Sequence, residues 1–165
     1  MPTSRKPTVD ACCNRAQETQ ATRLDDTDFC EQELIILQTA RYFFDSFAHP
    51  QGQSWILGFD CPGNLYGEVE GPRIAALILD SVQAMRMARH SCFRFNNPHC
   101  VGCSQILSEH ERLFMRSFTA LREGRRPVAF SYAMLLCEMN PVDSFLAAQL
   151  RLLNATAERE LATAS

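Results

Sequence analysis

A mainly helical fold is predicted by this sequence, with about five helices, one small β-hairpin and a metal-binding loop between helices two and three. Three observations predict it. Apolar residues recur at helical spacing over most of the chain after residue 28, prolines and glycines interrupt that pattern at short intervals, and three cysteines gather between Cys92 and Cys103.

With 165 residues and 46% hydrophobic composition the chain has the size and apolar content of one domain with a real core. Residues 1–28 are polar, with Val9 and Leu24 as their sizeable aliphatics and a vicinal pair, Cys12 and Cys13, and are expected to be a flexible arm. The helical domain is expected over 29–157, with a frayed end at 158–165.

A net charge of −3, with 16 Lys and Arg spread along the chain, provides no basic field for a phosphate backbone, so nucleic acid is not the expected partner. Ile74 to Leu79 is the longest apolar run, far short of the roughly 20 residues that span a bilayer. The opening residues lead into no apolar stretch of the kind an export signal uses, so the expected location is cytoplasmic. In a reducing compartment the eight cysteines are more readily thiols or metal ligands than disulfides.

The first helix is predicted from Phe29 to Ala48. Leu34, Leu37, the aliphatic stem of Arg41, Phe44 and Phe47 share one face, which Ile35, Ile36 and Phe43 widen. Asp28 is its expected N-cap, with Glu31 three residues later as the capping-box carboxylate, and His49-Pro50 ends it. Ser54 to Phe59 and Leu65 to Glu70, separated by the turn-rich Asp60 to Asn64, predict two short strands of a hairpin.

Gly71-Pro72 opens the second helix, whose core stripe is Ile74, Leu77, Ile78, Val82, Met85 and Ala88. Arg73, Arg86, Arg89 and His90 make it the most basic stretch. A solvated face is the plain explanation of these arginines; a docking face for a partner, or for DNA in a transcriptional regulator, is the alternative. Ser108 caps the third helix, with Glu109 and Glu111 in its first turn and Leu113, Phe114, Phe118 and Leu121 facing the core, and Gly124 ends it.

Pro127 starts a fourth helix that runs to Cys137, and Pro141 separates it from a fifth that uses Phe145, Leu146, Leu150 and Leu153. Short connections predict that these last helices lie antiparallel and side by side. Gly124, Ala129 and Pro141 have the spacing of the turn, second helix and exit of a tetratricopeptide repeat. The stretch from Arg112 to Pro141 resembles one such repeat in part, without its Trp, Leu-Gly and Tyr positions. The resemblance implies a helical hairpin there.

Chemistry is concentrated between Cys92 and Cys103. Cys100 and Cys103 form a Cys-x2-Cys pair, a spacing that turns two thiolates toward one zinc ion. Pro98 and Gly102 suit the tight bend, and Cys92, eight residues earlier, is the expected third ligand. Antiparallel packing of the fourth helix on the third would bring Cys137 toward Cys103 as the fourth ligand. His110 at the start of the third helix and Cys61 in the hairpin turn are the alternatives, while His99 should point away from a site that Cys100 faces.

Four thiolates close a zinc site, which would then be structural and would contribute on the order of 10 kcal/mol to folding. The same cysteines also suit a thiol redox sensor or an iron–sulfur cluster, and buried thiols without a ligand are the plain alternative.

No phosphate-cradling glycine loop, Gly-x-Ser-x-Gly or His-Glu-x-x-His is present, and Asp60, Glu68 and Glu70 are most simply solvated acids, so an enzyme is not expected. His49 and His90 fall at helix ends, where imidazoles favour the terminal carbonyls. The expected role is therefore that of a zinc-stabilised regulatory or adaptor protein with a protein partner.

Overall fold

The computed structural model describes residues 22–163, with side chains through 157. Seven α-helices are present among the described residues: α1 (Glu31–Ala48), α2 (Trp55–Asp60), α3 (Gly63–Ala88), α4 (Val101–Ser104), α5 (Glu109–Arg122), α6 (Arg126–Leu136) and α7 (Asp143–Thr163). Two short strands, β1 (Thr22–Arg23) and β2 (Ile106–Leu107), pair antiparallel with Thr22 opposite Leu107 and Arg23 opposite Ile106. The predicted mainly helical class with one small antiparallel sheet is what the chain adopts.

The sheet is not where the sequence placed it. Residues 54–70, expected as a hairpin, are helical, and the strands come instead from the segment before α1 and the segment before α5. Short apolar runs carry the same signal as strands and as helical turns, and here tertiary contact decides. A side chain at Gly58 would place its Cβ 2.8 Å from the Phe43 ring, so this glycine allows α2 to lie directly on α1. Trp55, Ile56 and Leu57 remain 50%, 43% and 42% exposed, without the in-and-out alternation of a half-buried strand.

The second predicted helix begins earlier than Gly71, at Gly63, with a break at Gly67, whose φ of 78° suits glycine. Thr22 onward belongs to the structure. Cys12, Cys13 and the rest of the expected arm up to residue 21 lie outside the described residues.

At its start α1 uses Cys30 rather than Asp28 as N-cap, and Glu33 rather than Glu31 returns to the cap, accepting the Cys30 N–H at 3.1 Å. The buried face follows from that shift. Ile36, Leu37, Ala40, Arg41, Phe43 and Phe44 are inside, while Leu34 and Phe47 are 38% and 40% exposed. Ser108 caps α5 as predicted, in a reciprocal box with Glu111, and Gly124, at φ 72°, closes it.

One main core joins α1, α3, α5, α6 and α7 around Phe44, Ile78, Met85, Phe114, Phe118 and Phe145. α5 and α6 form the predicted hairpin. α7, however, packs chiefly on α3 rather than on α6, because Phe145, Ala148 and Leu152 are the positions that face inward. Among the described residues no helix is long and apolar enough to cross a membrane.

Candidate cysteine site

Between the end of α3 and the start of α5 the chain has little regular structure, so its backbone polar groups must find partners elsewhere. Arg41 supplies them. This side chain, 1% exposed in the middle of α1, donates through Nη1 to the Ser104 carbonyl at 2.7 Å and through Nη2 to the Ile106 carbonyl at 2.6 Å. Its Nε meets Glu111 Oε1 at 2.7 Å, and Glu111 is fully buried.

Glu111 in turn accepts the N–H groups of Asn96 at 3.0 Å and Ser108 at 2.7 Å, and the Asn96 amide at 2.9 Å. Every partner is charged or hydrogen-bonded, which is the condition under which buried ions are tolerated.

Cys100 and Cys103 stand on this pinned segment. Cys100 is the N-cap of the single-turn helix α4, and the Cys103 N–H donates to its Sγ at 3.4 Å. The Ser104 N–H donates to the Cys100 carbonyl at 2.9 Å, completing the turn. Cys103 is 3% exposed and Val101 between the two cysteines 82% exposed, so the turn presents one face inward and one outward. Gly102 is not required for space: a Cβ there would meet nothing within 4 Å.

His99, immediately before the pair, points to α1 and α2. Its Nε2 lies 2.9 Å from Ser54 Oγ and 3.3 Å from Asp45 Oδ2, and its ring packs 5.6 Å from that of Tyr42. Ser54 Oγ donates to Asp45, and His49 Nδ1 lies 2.9 Å from the other Asp45 oxygen. Burial raises the Asp45 carboxyl, but Ser54, His49 and His99 outweigh it and hold it below the ordinary value.

These are the residue types of a nucleophilic triad without its connectivity. One imidazole nitrogen serves both serine and acid, whereas a general base needs the acid on its second nitrogen. The arrangement fastens the loop to α1 rather than activating Ser54.

The other predicted ligands lie apart from this turn. Cys92 is exposed, in a groove at the end of α3. Cys137 is buried in the core, where burial pushes its thiol up to about 11 and Glu138 adds to the effect, with Arg89 opposing. The end of α6 meets the end of α3, not Cys103: Arg89 donates to the Leu136 carbonyl, and Glu138 accepts the N–H groups of His90 at 2.9 Å and Ser91 at 3.2 Å.

Cys61, half-buried at the C-terminal end of α2, is raised by burial, with Thr39 opposing. His110 accepts the Arg94 N–H at 2.8 Å; burial, followed by the charges of Arg89 and Arg94, lowers it and so favours the neutral ring. Among the described residues no three His, Cys, Asp or Glu side chains are grouped so as to hold a metal ion.

The expected basic face is largely committed. Arg73 pairs with Glu70 at 2.8 Å, and Arg89, with its side chain 4% exposed, pairs with Glu138 at 3.2 Å. Arg86 lies over the Phe47 ring, 3.5 Å from its centroid, and donates to Gln83.

Sequence reading missed Arg41, Asn96 and the Asp45, Ser54 and His99 cluster. Arg41 left a signal, a cation on the apolar face of a helix, and Glu111 lay in a recognised capping box. Comparison with family models, with curated proteins and with solved structures finds no match.

Proposed function

We propose that the protein is a small regulatory protein that acts through contacts with other proteins and responds to thiol oxidation at Cys100 and Cys103. The observation that supports this is their apposition in one turn, with the Cys103 N–H on the Cys100 sulfur at 3.4 Å. Residues three apart on a helix have Cβ atoms about 5–6 Å apart, so a modest tightening brings them to disulfide distance. A peroxide supplies the oxidising equivalents. It converts one thiol to a sulfenic acid with release of water, and the second thiol displaces a further water as the S–S bond forms.

The consequence passes to the fold through Ser104, next to Cys103, whose carbonyl is an acceptor of Arg41. Tightening α4 moves that acceptor and loosens or re-seats the segment that a protein partner would read. A cytoplasmic setting suits this chemistry, since reducing thiols return the pair to its resting state.

Zinc binding is the second reading, favoured by the same preformed Cys-x2-Cys turn. It needs two more donors, Cys92 with Cys137 or His110, to be drawn in and deprotonated. One preparation decides between the two: protein purified without added metal, assayed for zinc, then treated with mild peroxide and mapped by mass spectrometry. A Cys100–Cys103 bond that reductant reverses, and that Cys103→Ser abolishes, is the expected result. One zinc per chain that survives peroxide overturns it and establishes the zinc-stabilised adaptor.

A further inference from the structure

At the end of α3 the cysteine segment folds back across α1 and leaves a groove of about 370 Å³, within the size range of small-molecule sites. Its walls are aromatic. Phe44 stacks on Phe93 with ring centroids 4.0 Å apart and meets Phe95 at 5.9 Å, and Phe47 closes the outer side. The charged or titratable side chains that line it besides Cys92 are Arg86, Arg89 and His90, with no carboxylate among them.

Arg89 is already neutralised by Glu138 and saturated by the Leu136 carbonyl and Ser91. Arg86 is different. Its guanidinium carbon lies over the Phe47 ring, 3.5 Å from the centroid, and it gives one donor to Gln83, a neutral acceptor, and meets no acid among the described residues. An oriented cation beside an apolar cleft is complementary to a ligand with one negative head and an apolar body.

We infer that this groove binds a small amphiphilic carboxylate, with its head on Arg86 and its apolar body along Phe44, Phe47, Phe93 and Phe95. A ligand seated there would lie against Cys92, which is exposed on the same groove. Occupancy is therefore readable as protection of that thiol.

The test uses sodium decanoate below its micellar concentration, with the full chain under reducing conditions. Alkylation of each cysteine by iodoacetamide is followed by peptide mapping. Decanoate is expected to slow labelling of Cys92 and leave Cys30 unchanged, whereas decanol, with the same body and no charge, should need about tenfold more for equal protection. Arg86→Gln should raise the decanoate concentration for half-protection about tenfold. Met87→Arg, a second cation at an exposed lining position, should lower it. Equal protection by decanol and decanoate, or no protection of Cys92 by either, overturns the inference, as does an unchanged decanoate response in both variants.

Discussion

Arg41–Glu111 and Arg89–Glu138 join one segment to the helices at its two ends, the first inside the core and the second at the surface. Their chemistry is the same, but the inner pair is 1% and 0% exposed and the outer pair 4% and 28%. The inner carboxylate accepts the N–H groups of Asn96 and Ser108, the outer one those of His90 and Ser91. In both, a glutamate serves as the acceptor for a stretch of chain that has no ladder of its own. Solvent makes the difference: losing Glu138 leaves the exposed His90 and Ser91 N–H groups for water to satisfy, whereas losing half of the inner pair strands a charge.

The largest expected effect follows from that contrast. Arg41→Met removes the donor of two carbonyls and leaves Glu111 buried without its counter-charge, a class of change that costs about 3–5 kcal/mol. Urea denaturation should show the midpoint falling accordingly. Adding Glu111→Leu should restore only part of the loss, since the Asn96 and Ser108 N–H groups would then lack their acceptor. Full recovery would mean that Glu111 matters only as a counter-ion to Arg41.

Acid should open the outer fastening in a way that can be followed. Hydrogen bonds from Ser91 Oγ and the His90 N–H, with smaller help from Arg89, lower Glu138 from 4.5 to about 2. A carboxyl depressed by folding contributes its stability above the unfolded value, and that contribution is lost as pH falls through the folded one. Stability should therefore decline between pH 4.5 and 2. Glu138→Gln should flatten that limb, leaving the part due to Asp45, which is depressed in the same direction. An unchanged acid limb in Glu138→Gln would remove Glu138 from the account.

How far the sequence revealed these arrangements depends on the range over which each is specified. Ser108-x-x-Glu111, Gly124 and Pro141 act within a few residues of themselves, and the elements they bound lie where they were expected. Ser54 to Glu70 failed because a short apolar run has no period of its own, and Gly58 takes its meaning from Phe43, fifteen positions away. Arg41 was read by its aliphatic stem because its acceptors, on Ser104, Ile106 and Glu111, are all more than sixty residues distant, and no local pattern marks them. The cysteines gave the opposite error. Cys100 and Cys103 are together, as a two-residue gap requires, but Cys137 was brought to them by assuming that α6 ends near α4, and the glutamate beside it holds that end against α3.

Thiol chemistry sharpens the comparison at smaller amplitude. Cys137 adjoins the outer fastening, is fully buried and is held as the thiol by a value near 11, while Cys92 on the same side is exposed. At pH 8 Cys92 should react with a soluble disulfide reagent in the first phase and Cys137 only as the protein opens. Glu138→Gln should speed the second phase and leave the first unchanged, since it frees the end of α6 without exposing Cys92 further.

Gly102→Ala is the smallest change and the one that isolates the segment from its fastenings. The Cys-x2-Cys spacing suggests a glycine needed for a tight bend, but the space beside Gly102 is open and α4 has ordinary helical geometry there. Alanine also improves the helix, by up to about 1 kcal/mol where the position is helical and exposed. A neutral or slightly raised thermal midpoint is the expected result, with Cys100–Cys103 oxidation unaffected. Any loss comparable to that of Arg41→Met would show that the turn itself, rather than the buried arginine beneath it, determines where the two cysteines stand.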